Sequence, residues 1–276
     1  MKTDRIRHTI VYLLLILFAA AALFPVYWML NTSLKNPGEI YFAEPTLFPK
    51  KPILNSYAKM LSNNNFMRSI TNSLFVGLAV AALTIIVCTL LAYAVARINF
   101  KGRKFISVGI LYCYLIPKTI LFIPLYIFVS NIGLINNLLG LIVIYPTFTI
   151  PYAAWILIPY IKSISYSIEE AAVIDGCSRL QVIRRIVFPL AMPGIISTAI
   201  FTFTMCWGEY LYALLIINKT SIKTFPLMLT ELIEADVFAW GPLMASAVIV
   251  SVPVVALYMI GSKYIVNDAS AGAVKQ

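Results

Sequence analysis

Six long apolar segments constrain this 276-residue chain more than any other feature. They run over residues 9–30, 70–96, 105–130, 138–161, 190–217 and 242–262, and they contain only two of the chain's Asp, Glu, Lys and Arg residues, Lys118 and Glu209. A helix rising about 1.5 Å per residue needs about 20 apolar residues to cross roughly 30 Å of hydrocarbon, so each segment is long enough to cross. The runs are continuously apolar, without the alternation of a membrane strand, which excludes a β-barrel. The expected fold is therefore an all-α membrane protein with six transmembrane helices, a single transmembrane domain over residues 1–276.

The charges between the segments predict orientation. With the N-terminus inside, the inner segments hold 13 Lys and Arg and the outer ones hold seven, the bias that cytoplasmic loops carry. Both termini are thus expected in the cytoplasm. The net charge of +10 is dispersed over short segments and forms no stripe of the kind that grips nucleic acid. Lys2, Arg5 and Arg7 precede the first span and Ala19–Ala22 lie within it, so a cleaved signal peptide is the alternative there. Its 22 apolar residues exceed the roughly 7 to 15 of a signal core and favour an uncleaved span. Residues 31–69, with Pro37, Pro45, Pro49 and Pro52, predict an outer loop of little regular structure, in which 54–61 has the pattern of a short surface helix.

Catalytic chemistry has little to work with. His8 is the only histidine, and Cys88, Cys113, Cys177 and Cys206 are too widely spaced for a zinc or redox pair. No Gly-Lys pair occurs, so the phosphate loop of an ATPase is absent and the chain is not expected to be an enzyme. Prolines are frequent inside the spans, with Pro25, Pro117, Pro124, Pro146, Pro151, Pro159, Pro193 and Pro253, which suits a kinked or cavity-lining bundle more than a rigid anchor.

The loop over 163–189 carries the most information, because a link between neighbouring helices usually takes only about 2 to 8 residues. It reads as two short helices. In the first, Ser167 is placed to cap, Glu169 and Glu170 fall in the first turn where the helix dipole favours carboxylates, and Ile168, Ala171 and Ala172 share one face. Gly176 ends it. The second starts at a capping-box pair, Ser178 and Gln181, with Leu180, Ile183 and Val187 expected on one stripe before Pro189. Two amphipathic helices lying on the lipid surface are the bland alternative.

Glu170-Ala171-Ala172, three residues, Gly176, nine residues, then Ile186-Val187-Phe188-Pro189 resembles the EAA loop of the membrane subunits of ABC importers, with Phe188 where leucine is usual. The resemblance continues through Ser33-Leu34-Lys35, residues 92–97, Pro124-Leu125-Tyr126, Trp207-Gly208-Glu209-Tyr210 and the tail over 271–275, and it points to the maltose-type carbohydrate permease branch. It implies a type I importer permease that moves a mono- or oligosaccharide inward by alternating access, in a bacterial or archaeal cytoplasmic membrane. It implies a second permease subunit, two ATP-binding subunits and an extracytoplasmic solute-binding protein as partners. It also implies that no cofactor is bound by this chain, ATP being used by the ATPase subunits. Glu169, Glu170, Ala171, Ala172, Asp175 and Gly176 then form the coupling helix that docks on the ATPase. The outer loop with Glu231, Glu234 and Asp236 faces the binding protein, and the tail reaches toward the ATPase pair.

Lys118 and Glu209 stand out because a charge at mid-membrane costs at least about 2.5 to 3.5 kcal/mol unless protein or water surrounds it. Counting helical rise puts Glu209 roughly 9 Å farther out than Lys118, so separate roles are favoured over an ion pair. With Trp207 and Tyr210 they are the candidate substrate pathway, packing between helices being the plainer role for Trp207. Gly208 stands where the family more often has asparagine. The competing functions are a self-contained ion-coupled transporter using Lys118 and Glu209, and an ABC importer of a non-sugar solute.

Overall fold

The computed structural model describes residues 2–41, 44–235 and 239–273, with side chains described over 7–41, 44–233 and 239–263. Helix α1 spans Lys2–Ser33 with Pro25 inside it. The short α2 (Pro37–Ile40) opens where the Asn36 side chain accepts from the Gly38 amide, and α3 (Asn55–Leu61) supplies the short helix expected in the outer loop. Helix α4 runs over Asn64–Arg97, and Gly102, at a φ of 93°, turns the chain into α5 (Arg103–Leu115).

The third apolar segment is not one continuous helix. Ile116 and Pro117 take extended backbone, Lys118–Leu121 forms a 3-10 turn, and α6 (Phe122–Asn131) follows, so that the two arms of the segment meet at 92°. Proline explains the break, since it lacks an N–H and pushes the residue before it out of the helical region. Next come α7 (Leu138–Ile144) and α8 (Pro146–Ser163), where Pro146 sits in the first turn and its missing donor is not needed.

The loop over 163–189 holds α9 (Tyr166–Ile174), α10 (Arg179–Val182), a π-helical turn over Ile183–Val187 and α11 (Phe188–Leu190). A bend of 76° then leads into α12 (Met192–Trp207). The fifth segment, expected over 190–217, likewise departs from a single helix: α12 stops at Gly208, and a separate α13 (Leu211–Ile216) follows. The chain closes with α14 (Phe225–Ala235) and α15 (Trp240–Ala273), which carries Pro253. Among the described residues there is no strand. Among the described residues four helices are long and apolar enough to cross a membrane singly, or up to six spans if each bent pair counts as one.

The chain divides into two compact units. One joins Met1–Met67 with Met228–Val252. Within it the end of α1 is tied down by polar groups: the Ser33 and Tyr57 hydroxyls lie 2.7 Å apart, and buried Lys35 donates to the Thr46 carbonyl at 2.5 Å with its ammonium 4.9 Å from the Trp28 ring. The apolar stretch of α1 itself has no residue buried within the chain.

The other unit joins Arg68–Leu227 with Pro253–Gln276. It has two apolar cores. The first packs Cys88, Ala92 and Val95 of α4 against Ala153, Leu157 and Ile161 of α8, with Ile195 of α12 and with Ala172, Val182 and Val187 from the 163–189 loop. A Cβ on Gly194 would lie 2.7 Å from the Tyr160 ring, so the absence of a side chain there sets how closely α12 approaches α8. The second core gathers Val76 and Val80 of α4, Tyr145, Cys206, Tyr212 and Ile216.

Candidate functional site

The 163–189 loop is built into the first core and is not a layer on its surface. Helix α9 follows Ser165 at its N-cap position, whose hydroxyl lies 2.8 Å from that of Ser167; neither side chain caps a backbone N–H, so the cap expected of Ser167 is not formed. The helix ends as expected, with Gly176 at a φ of 86°, a conformation that favours glycine. The carboxylate pair splits between faces. Glu169 and Ala172, one turn apart, point inward, whereas Glu170, Ala171, Val173 and Ile174 are exposed, Ile174 at 85%.

Glu169 is 3% exposed, and its charge is met by Arg97, the last residue of α4, with Nε donating to Oε1 at 2.6 Å. The same guanidinium donates through Nη2 to the carbonyls of Ile161 at 2.9 Å and Ile164 at 2.6 Å, at the C-terminal end of α8, and stands 5.7 Å from the Tyr166 ring. A helix C-terminus carries orphan carbonyls and partial negative charge, so one arginine answers three electronegative groups at once. A cleft of about 450 Å³ opens beside the pair, lined by residues that include Tyr93, Tyr166, Glu170, Ile174 and Arg179.

The second helix of the loop keeps its capping box, Ser178 and Gln181 each accepting from the other's backbone N–H. Its expected stripe is rearranged: Leu180 is 69% exposed, while Val182 and Val187 are buried. These two lie five residues apart, and the intervening π-helical turn, whose hydrogen bonds reach five residues instead of four, brings them onto one face. Of the expected stripe, Val187 is buried and Ile183 packs against the core, and only Leu180 turns outward.

The mid-membrane charges are separate, as the count of helical rise favoured. Glu209 is 8% exposed and sits in the break between α12 and α13. Its carboxylate accepts from the Tyr212 amide at 3.0 Å, the Ala213 amide at 3.2 Å and the Tyr145 hydroxyl at 2.9 Å, so it caps the start of α13. Lys118 forms no ion pair with it. The ammonium of Lys118 lies 4.3 Å from the Phe148 ring, and its backbone carbonyl accepts from the Tyr212 hydroxyl at 2.7 Å. Trp207 is buried against Phe203 and Phe225, with ring centroids 5.4 and 4.6 Å away, which is the packing role. Tyr210 is half-buried on the second core.

Arg97 and Tyr145 went unselected in the sequence. Arg97, the first residue after the expected 70–96 segment, counted in the sequence only among the basic residues of the inner segments. Tyr145 carried none beyond a phenol among apolar neighbours. Of the outer-loop acids, Glu231 lies on α14, while the Glu234 side chain and Asp236 fall outside the described residues. So do the side chains of the tail over 271–275 and all of 274–276.

Residues 89–270 match the family described as binding-protein-dependent transport system inner membrane component. The chain is 34% identical over 263 residues to the inner membrane ABC transporter permease protein YcjP of Escherichia coli strain K12, covering 95% of this chain and 94% of that protein. It is 32% identical over 279 residues to the trehalose/maltose transport system permease protein MalG of Thermococcus litoralis, covering 100% of this chain and 99% of that one. In fold it is similar to a chain in the crystal structure of a bacterial ABC transporter involved in the import of the acidic polysaccharide alginate, with a TM-score of 0.84 at 22% identity and coverage of 96% and 98%. The chain belongs to the family of binding-protein-dependent transport system inner membrane components, the multi-pass permeases of ABC transporters.

Proposed function

We propose that this chain is the sugar-conducting permease subunit of an ABC importer and that its 163–189 loop is the lever worked by a cytoplasmic ATPase. The observation that carries the lever is the split of α9, with Glu169 and Ala172 locked into the core and Glu170, Ala171 and Ile174 left outside. An outward face on a helix anchored from behind suits transmission of rigid-body motion between subunits. Burial of Ala172, Val182 and Val187 in the protein core weighs against helices resting on lipid. Asp175 and Gly176 form the turn that ends the docking segment. The apolar α1 is a surface for lipid and for the second permease, and the positive bias of the inner segments puts both termini in the cytoplasm.

The sugar assignment draws on the relatives. Besides the trehalose/maltose permease, one is named as a diacetylchitobiose uptake permease of Streptomyces coelicolor, 30% identical over 91% of this chain. Substrate would pass Lys118 and Tyr210, while Trp207 and Glu209 hold the wall behind them. An ion-coupled carrier would need its titratable groups open to water, whereas Glu209 is enclosed by three donors.

Deleting residues 169–176 is expected to abolish copurification of the ATPase subunits while the spans still insert; an ATPase that remains bound overturns the lever. For the cargo, isothermal titration of the solute-binding protein that copurifies with the complex should report binding of maltose, trehalose or diacetylchitobiose. Binding of amino acids alone overturns the sugar assignment and leaves the importer assignment standing.

A further inference from the structure

Arg97 does more than neutralise Glu169. Its guanidinium joins three pieces of chain that are distant in sequence: α4, of which it is the last residue; the C-terminal end of α8, through the Ile161 and Ile164 carbonyls; and α9, through Glu169. The side chains of the pair are 9% and 4% exposed, and all three bonds are 2.9 Å or shorter. Besides Tyr93 of α4, whose hydroxyl also interacts with Glu169, few polar contacts hold α9 to the spans, since Glu170, Asp175 and the serines at its start face outward. The apolar contacts behind it come from Ala172, a side chain of one carbon. A methyl group in a groove resists sliding weakly, whereas a planar fork engaged on two sides fixes both distance and angle.

We propose that Arg97, acting through Glu169, is the positioning residue that makes the coupling helix move as one body with α4 and α8. This rests on the reading of α9 as the ATPase lever. Without the arginine, a push on the exposed face of α9 would be absorbed by slip between α9 and the span ends. With it, displacement of α9 passes into α4, whose middle turns contribute Val76 and Val80 to the second core, around Tyr145 and Tyr212. The site would therefore set coupling efficiency and not ATPase docking, which belongs to the opposite face of the helix.

The test uses the whole importer in lipid nanodiscs, with spin labels on this chain at Ser167 of α9 and Leu78 of α4, both exposed, and with Cys113 and Cys177 replaced by serine. The label separation is read by pulsed electron resonance without nucleotide and after trapping with Mg-ATP and vanadate. In the otherwise unaltered chain the separation is expected to stay constant within about 1 Å. In Glu169→Gln and Arg97→Gln it should shift or broaden by about 3 Å or more. Arg97→Lys, which keeps the charge and loses the fork, should fall between. Unchanged separations in Glu169→Gln and Arg97→Gln overturn the proposal, as does a parent separation that moves as much as the variants'. A merely structural role lowers the yield of assembled importer and leaves the separation in the assembled fraction constant, which also overturns it. Failure of the lever reading itself is seen separately, as an ATPase still bound after deletion of residues 169–176.

Discussion

Glu169 and Glu209 are both glutamates enclosed by protein, 3% and 8% exposed, yet their charges are met in opposite ways. Glu169 faces a full positive charge from a helix end 72 residues earlier in the chain. Glu209 makes no ion pair among the described residues; two amide N–H groups from the following turn and one phenol share its charge. The first arrangement is long-range and joins elements that are otherwise held by small side chains. The second is largely local, since the residues donating the amides are three and four positions on, and it makes a fixed break between α12 and α13. A buried carboxylate can thus serve as a joint or as a cap, and the distance in sequence to its donors tells which.

Removing the cap should have the larger effect. Glu209→Ala leaves two amides and a hydroxyl enclosed without an acceptor, so stability should fall by about 3 to 5 kcal/mol and the thermal midpoint of the detergent-solubilised chain by roughly 10 °C. Glu209→Gln, which keeps one accepting oxygen, should recover about half of that. Glu169→Ala should cost less, about 2 to 3 kcal/mol, because Arg97 retains its two carbonyls. The double change Arg97→Met with Glu169→Leu should return most of that stability, since an apolar pair can replace a buried ion pair with little loss. A double variant no more stable than Glu169→Ala alone would show that the guanidinium's hold on α8 dominates.

Lys118→Met should change stability by less than about 1 kcal/mol, a cation over one ring being a weak contact, and a drop as large as that of Glu209→Ala would mean that the two charges act together after all. Gly208→Asn, restoring the family's usual residue beside Glu209, should lie within about 0.5 kcal/mol of neutral. Its φ is −88°, and a Cβ there would meet nothing nearer than the Thr204 carbonyl at 3.8 Å.

The smallest effect belongs to an exposed carboxylate. The Thr46 hydroxyl, with the Lys50 amide and the nearby charges of Lys35 and Lys50, holds the Glu39 carboxyl below its ordinary value. The order this lends to residues 46–50 is present above the unfolded carboxyl value of about 4.3 and lost as pH falls through the lower folded one. Limited proteolysis of the segment should therefore rise only on acidification below that range, and Glu39→Gln should remove the dependence.

Much of the architecture was legible because it depends on short-range composition. Apolar run length marked the segments that fold into helices long and apolar enough to cross, singly or as bent pairs, proline and glycine marked breaks such as Ile116-Pro117 and Gly176, and the spacing of Ser178 and Gln181 predicted the capping box that forms. The bend at Pro117 was legible as an irregularity but not as 92°, since proline dictates that a helix is interrupted and not where the second arm leads. The stripe through Leu180 failed for a related reason: whether a turn is α- or π-helical is decided by what must be buried on either side of it.

By itself, then, the sequence determined the solvent of each segment, the number of apolar segments long enough to cross, and the likeness of the 163–189 loop to an ATPase lever, because these follow from composition and spacing along the chain. Only the tertiary structure decided which glutamate is a joint and which a cap, that the adjacent Glu169 and Glu170 face opposite ways, and that Arg97 binds three elements. Those outcomes depend on which groups meet across 64 to 94 residues of chain, as in the bonds from Arg97 to Ile161 and from Tyr212 to Lys118, and on which of them water can no longer reach.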